Sequence, residues 1–254
     1  MDDTTHRESG EEGIICGKNA VMEYLLSGKP TDTLYVLKNS QGTGRHIALA
    51  KEKGAVVKTC DATKLNELAG EAKHGGIALT IPETEYSSLE ELLNVSEKRG
   101  TPPFIIIADE ITDPHNLGAL IRTAEAAGAD GLIIPKHRSA GINSTVHSTS
   151  AGAASHLRIC REANLVDVIN RLKEQNIWVY GAEADGVSFC EQDFSGGVCL
   201  VIGSEGNGLR RLVRESCDVI IAVDMYGKIN SLNASVCGGV LMYEVVRQRR
   251  AKKG

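Results

Sequence analysis

The stretch "VCLVIGSEGNGLRRLVRESCDVIIAVD", residues 198–224, decides which kind of α/β protein this is. It holds an apolar strand, a glycine loop, a short helix and a second strand ending in an acid, Asp224. That outline imitates a dinucleotide-binding unit, in which glycines let the backbone approach a pyrophosphate and an acid further on holds a ribose. The glycine order opposes that reading. Gly203, Gly206 and Gly208 are spaced GxxGxG, the reverse of the fingerprint, and only 30 residues follow Asp224. The loop still requires backbone to pass close to something at these glycines, with the carboxylate of Glu205 among them.

Two further stretches share this crowding. "INSLNASVCGGVLMYEVVRQR", residues 229–249, opens with Ser231 and Asn233 as helix-start residues and then sets Gly238 and Gly239 inside a helix. Each costs about 1 kcal/mol relative to Ala, which is tolerable where another backbone or a ligand comes very near. "DPHNLGALIRTAEAAG", residues 113–128, turns at Asp113-Pro114, and Asn116 is expected to cap a helix closed by Gly128. Leu117, Leu120, Ile121 and Ala124 form its apolar stripe at helical spacing, leaving Arg122 on the flank.

"DPHNLGALIRTA", "IGSEGNGL" and "SLNASVCGGVLMYE", in that order over roughly residues 102–250, resemble the three motifs of the SpoU/TrmH family of SAM-dependent RNA 2′-O-ribose methyltransferases, within the SPOUT superfamily. "GKNAVMEYLLSG" and "HGGIAL" are similar to the small RNA-binding domain, itself like a ribosomal protein, of the branch that methylates a guanosine of large-subunit ribosomal RNA. The resemblance implies a C-terminal α/β domain with a deep trefoil knot and a mainly parallel sheet, a homodimer with sites near the subunit interface, and a bent SAM. Carried over by position, the SAM contacts fall on Gly203, Val223, Leu232 and Asn233, and the catalytic set on Asn116, Arg122, Glu205, Ser231 and Asn233. The family often has Pro where this chain has Asp224. It assigns the Arg at position 122 to activating the ribose hydroxyl. A guanidinium pKa near 12.5 or above makes a poor base, so Arg122 is read as holding phosphate and lowering the hydroxyl's pKa electrostatically.

The rest of the chain fits this frame. Short β-branched runs alternate with helical patterns, the signature of α/β layers with mostly parallel strands. A polar seam at "PETEYSSLEELLNVSEKRGTPP" divides the chain: a tail over residues 1–12, an RNA-binding domain over 13–82, a linker region over 83–101 and a methyltransferase domain over 102–254. With 42% apolar and 24% charged residues the composition is that of a soluble globular protein, and no apolar run reaches the length of a membrane span. The acidic start has no apolar core of a signal peptide, which predicts a cytoplasmic protein. Seven cysteines without a CxxC pair read as free thiols in a reducing compartment, and the scattered histidines offer no metal site.

The net charge of −5 excludes a surface uniformly basic for nucleic acid but leaves room for local patches. Arg210 and Arg214, in "LRRLVR", are expected to share a helix face and meet phosphate. The partner is then structured RNA, ribosomal RNA foremost. A transfer-RNA substrate, or a non-catalytic RNA-binding or ribosome-assembly protein of the same fold, are the competing readings.

Overall fold

The computed structural model describes residues 13–70, 72–82 and 86–252. The tail expected over residues 1–12 lies outside them, as do three residues of the seam.

The first unit comprises β1 (Gly13–Cys16), α1 (Lys18–Leu26), β2 (Thr33–Leu37), α2 (Gly44–Glu52), β3 (Val56–Cys60), α3 (Ala62–Ala69) and β4 (Ile77–Ile81). Its sheet runs β1-β4-β2-β3 and is mixed. β4 returns antiparallel between β1 and β2, and only β2 and β3 are parallel. The mostly parallel pattern expected for the whole chain therefore belongs to the second unit.

That unit contains α4 (Leu89–Arg99), β5 (Phe104–Ala108), α5 (Pro114–Ala126), β6 (Gly131–Pro135), α6 (Ser144–Thr149), β7 (Arg158–Glu162), α7 (Leu165–Glu174), β8 (Ile177–Ser188), β9 (Gly197–Ile202), α8 (Arg211–Ser216), β10 (Val219–Ala222) and α9 (Ala234–Ala251). Its sheet is parallel throughout in the order β10-β8-β9-β5-β6-β7. Successive side chains of a strand point to opposite faces, so "FIIIA" can be apolar at every position only if both faces are covered. They are. Phe104, Ile106 and Ala108 join the core beneath α5 and α9, while Ile105 and Ile107 join the one beneath α4 and α7.

The seam expected as a linker carries α4. Ser88 and Glu91 make a reciprocal capping box, and Gly100 ends the helix in the left-handed region. Its apolar face is narrow, Leu89 and Leu92 being its buried leucines, so the sequence reads as polar while the helix packs on the sheet. Leu92 leaves no room for a side chain at Gly131 on β6.

The topology places a switch between β5 and β9. From β5 the chain moves through β6 to β7 on one side, then crosses to fill β8, β9 and β10 on the other. In open parallel sheets the loops leaving two such neighbours diverge and frame a crevice at the carboxyl ends of the strands.

Candidate active site

The crevice is built by two loops tied to each other. Asp109, directly after β5, is fully buried. Its backbone donates to the Ile202 carbonyl at the end of β9 (2.8 Å), and its carboxylate accepts from the Arg210 backbone (2.9 Å) and Arg210 Nε (2.7 Å). The glycine loop between these anchors closes on itself, with Ser204 and Gly208 exchanging backbone hydrogen bonds at 3.1 and 3.0 Å. Gly203 admits no side chain, because a Cβ would lie 2.3 Å from the Gly208 carbonyl carbon. At Gly208 (φ +64°) a Cβ would meet the Glu183 carboxylate, which accepts the Leu209 N–H at 2.5 Å. Sterics and left-handed backbone thus account for these glycines.

Three of the expected residues meet across 117 positions of sequence. Asn116 Nδ2 donates to Glu205 Oε1 (3.1 Å), and Asn233 Nδ2 donates both to Asn116 Oδ1 (2.9 Å) and to Glu205. Asn233 also caps α9, its Oδ1 accepting from the Ser235 and Val236 backbones at 3.0 and 3.2 Å. The cap turns the amide nitrogen toward Glu205. The carboxylate in turn lies at the positive end of α9, where a helix favours negative charge. Asn116 does not cap α5 as expected. Asp113 does, accepting from His115 N at 2.9 Å, since Pro114 begins the helix as its first residue and so sets the cap at Asp113, three positions before Asn116. Asn116 is thereby free to face the crevice from the first turn.

Beside this triad lies a pocket of about 670 Å³, a size suited to a nucleoside-like ligand. Gly203, Val223, Leu232 and Asn233, the positions expected to hold SAM, all line it, as do Glu205 and Ser231. Ala182, Ile202 and Ile221 give it an apolar wall, and Glu183 joins Glu205 in the lining as a second carboxylate. Such a pocket suits a ligand with an apolar ring and positive charge, and would repel the pyrophosphate of a dinucleotide. Burial raises the Cys237 thiol above its ordinary range, so this lining cysteine is neutral. Asp224 accepts the Ser188 hydroxyl at 2.6 Å. Asn116 lines an adjoining hollow of about 210 Å³ that shares Ser204 and Glu205 with the larger one. Among the described residues no group of three His, Cys, Asp or Glu side chains is placed to hold a metal ion.

Arg122 stands elsewhere. It is exposed on α5 and does not line the pocket. A Cβ at Gly239 would contact Thr123 at 3.7 Å, so α5 borders the face of α9 that carries exposed Val236, Val240 and Tyr243. The two glycines of α9 differ in kind. A Cβ at Gly238 would meet Leu120 at 2.5 Å, so Gly238 is what lets α9 approach α5.

The pair Arg210 and Arg214 is also rearranged. Arg210 occupies the N-cap position of α8 with its guanidinium on Asp109, whereas Arg214 pairs with exposed Asp185 at 2.8 Å. Asp109 and Glu183 were missed by sequence reasoning. Asp109 directly follows β5 in "FIIIAD", and Glu183 sits in "IWVYGAEAD" where the buried part of β8 and its pairing with β9 end, the level at which parallel sheets build their sites.

The family described as "SpoU rRNA Methylase family" matches residues 103–243, and "RNA 2'-O ribose methyltransferase substrate binding" matches residues 14–87. Bacillus subtilis YacO, named for the TrmH family of tRNA/rRNA methyltransferases, is 41% identical over 95% of this chain and 98% of its own length. A Staphylococcus haemolyticus protein of the same designation is 39% identical over 94% and 97%. Among solved structures, the SpoU methyltransferase AviRb from Streptomyces viridochromogenes, in complex with AdoMet, superposes with a TM-score of 0.83 at 24% identity, covering 98% of this chain and 95% of that one. The TrmH/SpoU tRNA modifying enzyme of A. aeolicus gives 0.55 at 29% identity over 65% and 84%.

Proposed function

Because the chain belongs to the SpoU family of RNA 2′-O-ribose methyltransferases, we propose that it methylates the 2′-hydroxyl of a guanosine in large-subunit ribosomal RNA with S-adenosyl-L-methionine. The observation that carries the reading is the pocket at the β5/β9 switch, where family positions Gly203, Val223, Leu232 and Asn233 converge on one cavity bearing two carboxylates. When bound, SAM supplies a methyl group on a sulfonium centre. The ribose oxygen forms a bond to that carbon as the carbon–sulfur bond breaks, the electron pair goes to sulfur, and the hydroxyl proton passes to solvent. This requires alignment more than strong acid or base. Asn116, Ser231 and Asn233 orient the ribose, Glu205 fixes both amides, and Arg122 grips the phosphate and stabilises the developing alkoxide.

Arg122 lies outside its own pocket, on the helix that borders the exposed apolar stripe of α9, so the proposal includes a homodimer formed through α9 in which Arg122 serves the partner's site. The trefoil knot belongs to the same proposal, supported by the packing of α9 against α5 and β9 beside the pocket loops. Residues 13–82 act as the RNA-binding domain. Nine Lys and Arg against six Asp and Glu give them a net charge of +3 within a chain of −5. Arg214 contributes on the other unit, since its surface pair with Asp185 is weak enough for phosphate to displace. All seven cysteines are free thiols, in keeping with a cytoplasmic location.

Mapping of 2′-O-methylation in cells with and without the gene tests the substrate. One ribosomal guanosine should lose its methyl group. Loss confined to transfer RNA would transfer the assignment there, and no loss in either would leave the chain a binding protein.

A further inference from the structure

A second cavity, of about 630 Å³, lies between the two units. Tyr24, Lys29 and Ile81 line it from the first unit, and His147, Ser155 and Arg158 from the second. His147 is 3% exposed, yet neither of its ring nitrogens has a hydrogen-bond partner, and the buried Ser155 hydroxyl also lacks one. A buried polar group left unsatisfied is costly, so three such atoms in residues that line one cavity call for an occupant.

The lining specifies what kind. Burial holds the His147 pKa at about 4, so the ring is neutral and offers one donor and one acceptor. That pair, with a hydroxyl beside it, matches the mixed edge of a nucleobase better than a simple anion. Aromatic and apolar surface is at hand for a flat ring. Tyr24 meets His147 edge-on at 6.2 Å, and the Tyr86 ring carries the Arg161 guanidinium at 5.4 Å. At the mouth, Arg158 is exposed and has no ion pair among the described residues, and Lys29 is near enough to act on His147.

We propose that this cleft binds one nucleotide, its base hydrogen-bonded by His147 and Ser155 and its phosphate held by Lys29 and Arg158. The inference rests on the reading that the protein acts on RNA, and it adds a recognition point remote from the methylated ribose. Helix α6 links the two places. His147 faces the cleft, and two residues on, Thr149 Oγ1 meets His115 Nδ1 (3.3 Å) beside Asn116. The nucleotide could come from the RNA strand or be free in solution, since both present the same base and phosphate.

The test uses the full chain with two probes, 4-thiouridine 5′-monophosphate and a ten-nucleotide single-stranded RNA containing one 4-thiouridine, crosslinked by light and mapped by peptide mass. Crosslinks should fall within residues 24–30 or 147–158. Arg158→Gln should weaken probe binding about tenfold, the effect of losing one charge-assisted contact, with SAM affinity unchanged. Because Arg158 is exposed, that variant should fold even if Ser155→Ala does not. Labelling by the RNA alone identifies the strand as the source, and labelling by the monophosphate identifies a free nucleotide. Crosslinks elsewhere, or equal affinities for Arg158→Gln and wild type, overturn the proposal. Methyl transfer to RNA is measured in parallel. An active enzyme with a silent cleft would sink only this inference, whereas an occupied cleft on a protein inactive toward all RNA would sink the functional reading.

Discussion

The two cavities handle their polar groups in opposite ways. At the edge of the pocket at the sheet switch, Asn116, Glu205 and Asn233 satisfy one another and the cap of α9 before any ligand arrives. In the cleft between the units, His147 and Ser155 stay unpartnered. The first arrangement is preorganised, so little reorganisation is left for the moment of reaction. The second holds hydrogen-bonding capacity in reserve for whatever enters. A closed network marks where chemistry is aligned, and open polar atoms mark where something is recognised.

The sharpest way to break the contrast is at Gly203. Gly203→Val would drive side-chain atoms into the Gly208 backbone, which cannot move without opening the loop. We expect no measurable SAM binding by calorimetry and unchanged nucleotide crosslinking in the cleft. Retained SAM binding would show that the loop is not the cofactor's cradle.

The next effect is on rate. Arg122→Ala should lower methyl transfer by a factor of about 10² or more with SAM affinity intact, and Arg122→Lys should rescue little, because a point charge cannot replace the planar fork. Co-expressed Arg122→Ala and Glu205→Gln subunits should regain activity, each dimer pairing one sound Arg122 with one sound pocket. An inactive mixture would confine Arg122 to its own chain.

A smaller effect concerns the cleft and pH. The His147 pKa falls from an ordinary 6.5 to about 4 on folding. Between these values the unfolded chain binds the extra proton, so stability rises with pH across the window and is lost as pH drops from 6.5 toward 4. Urea titrations should show a loss of about 2 kcal/mol by pH 5 relative to pH 7.5, and His147→Asn should flatten that slope. An identical slope in the variant would assign it to other groups.

The smallest effect separates the glycines of α9. Gly239→Ala meets only Thr123 at ordinary contact distance and should raise the monomer's stability by about 0.5–1 kcal/mol through helix propensity. Gly238→Ala should lower stability, because Leu120 must give way. Matching signs in thermal melts would mean that α9 does not rest on α5 as described.

Much of this was legible in the chain itself. The reversed glycine spacing and the small-residue helix marked two places where backbone is crowded, and the SAM positions implied by the family resemblance fall on the lining of one pocket. What escaped were features set by tertiary partners. Pro114 set the cap at Asp113 rather than Asn116, a three-residue shift that left Asn116 on the first turn facing the crevice. α4 hid because a helix resting on a sheet by two leucines looks polar. Arg210 read as a phosphate contact because its buried partner, Asp109, is 101 positions away. The cleft gave no local signal at all, being made of residues that are unremarkable until two separate units close over them.

The Asn116–Asn233 hydrogen bond, drawn across 117 residues, has a consequence for assembly. Closing so long a loop costs only slightly more than closing a short one, yet the contact can form only after nearly everything between its ends has found its place. No partly folded chain can present this pocket. Occupancy of the site therefore certifies completion: SAM at a hundred times its dissociation constant would add about 2.7 kcal/mol to the finished domain and nothing to a half-built one. A cell that keeps its methyl donor in excess thereby biases this protein toward the state that can use it.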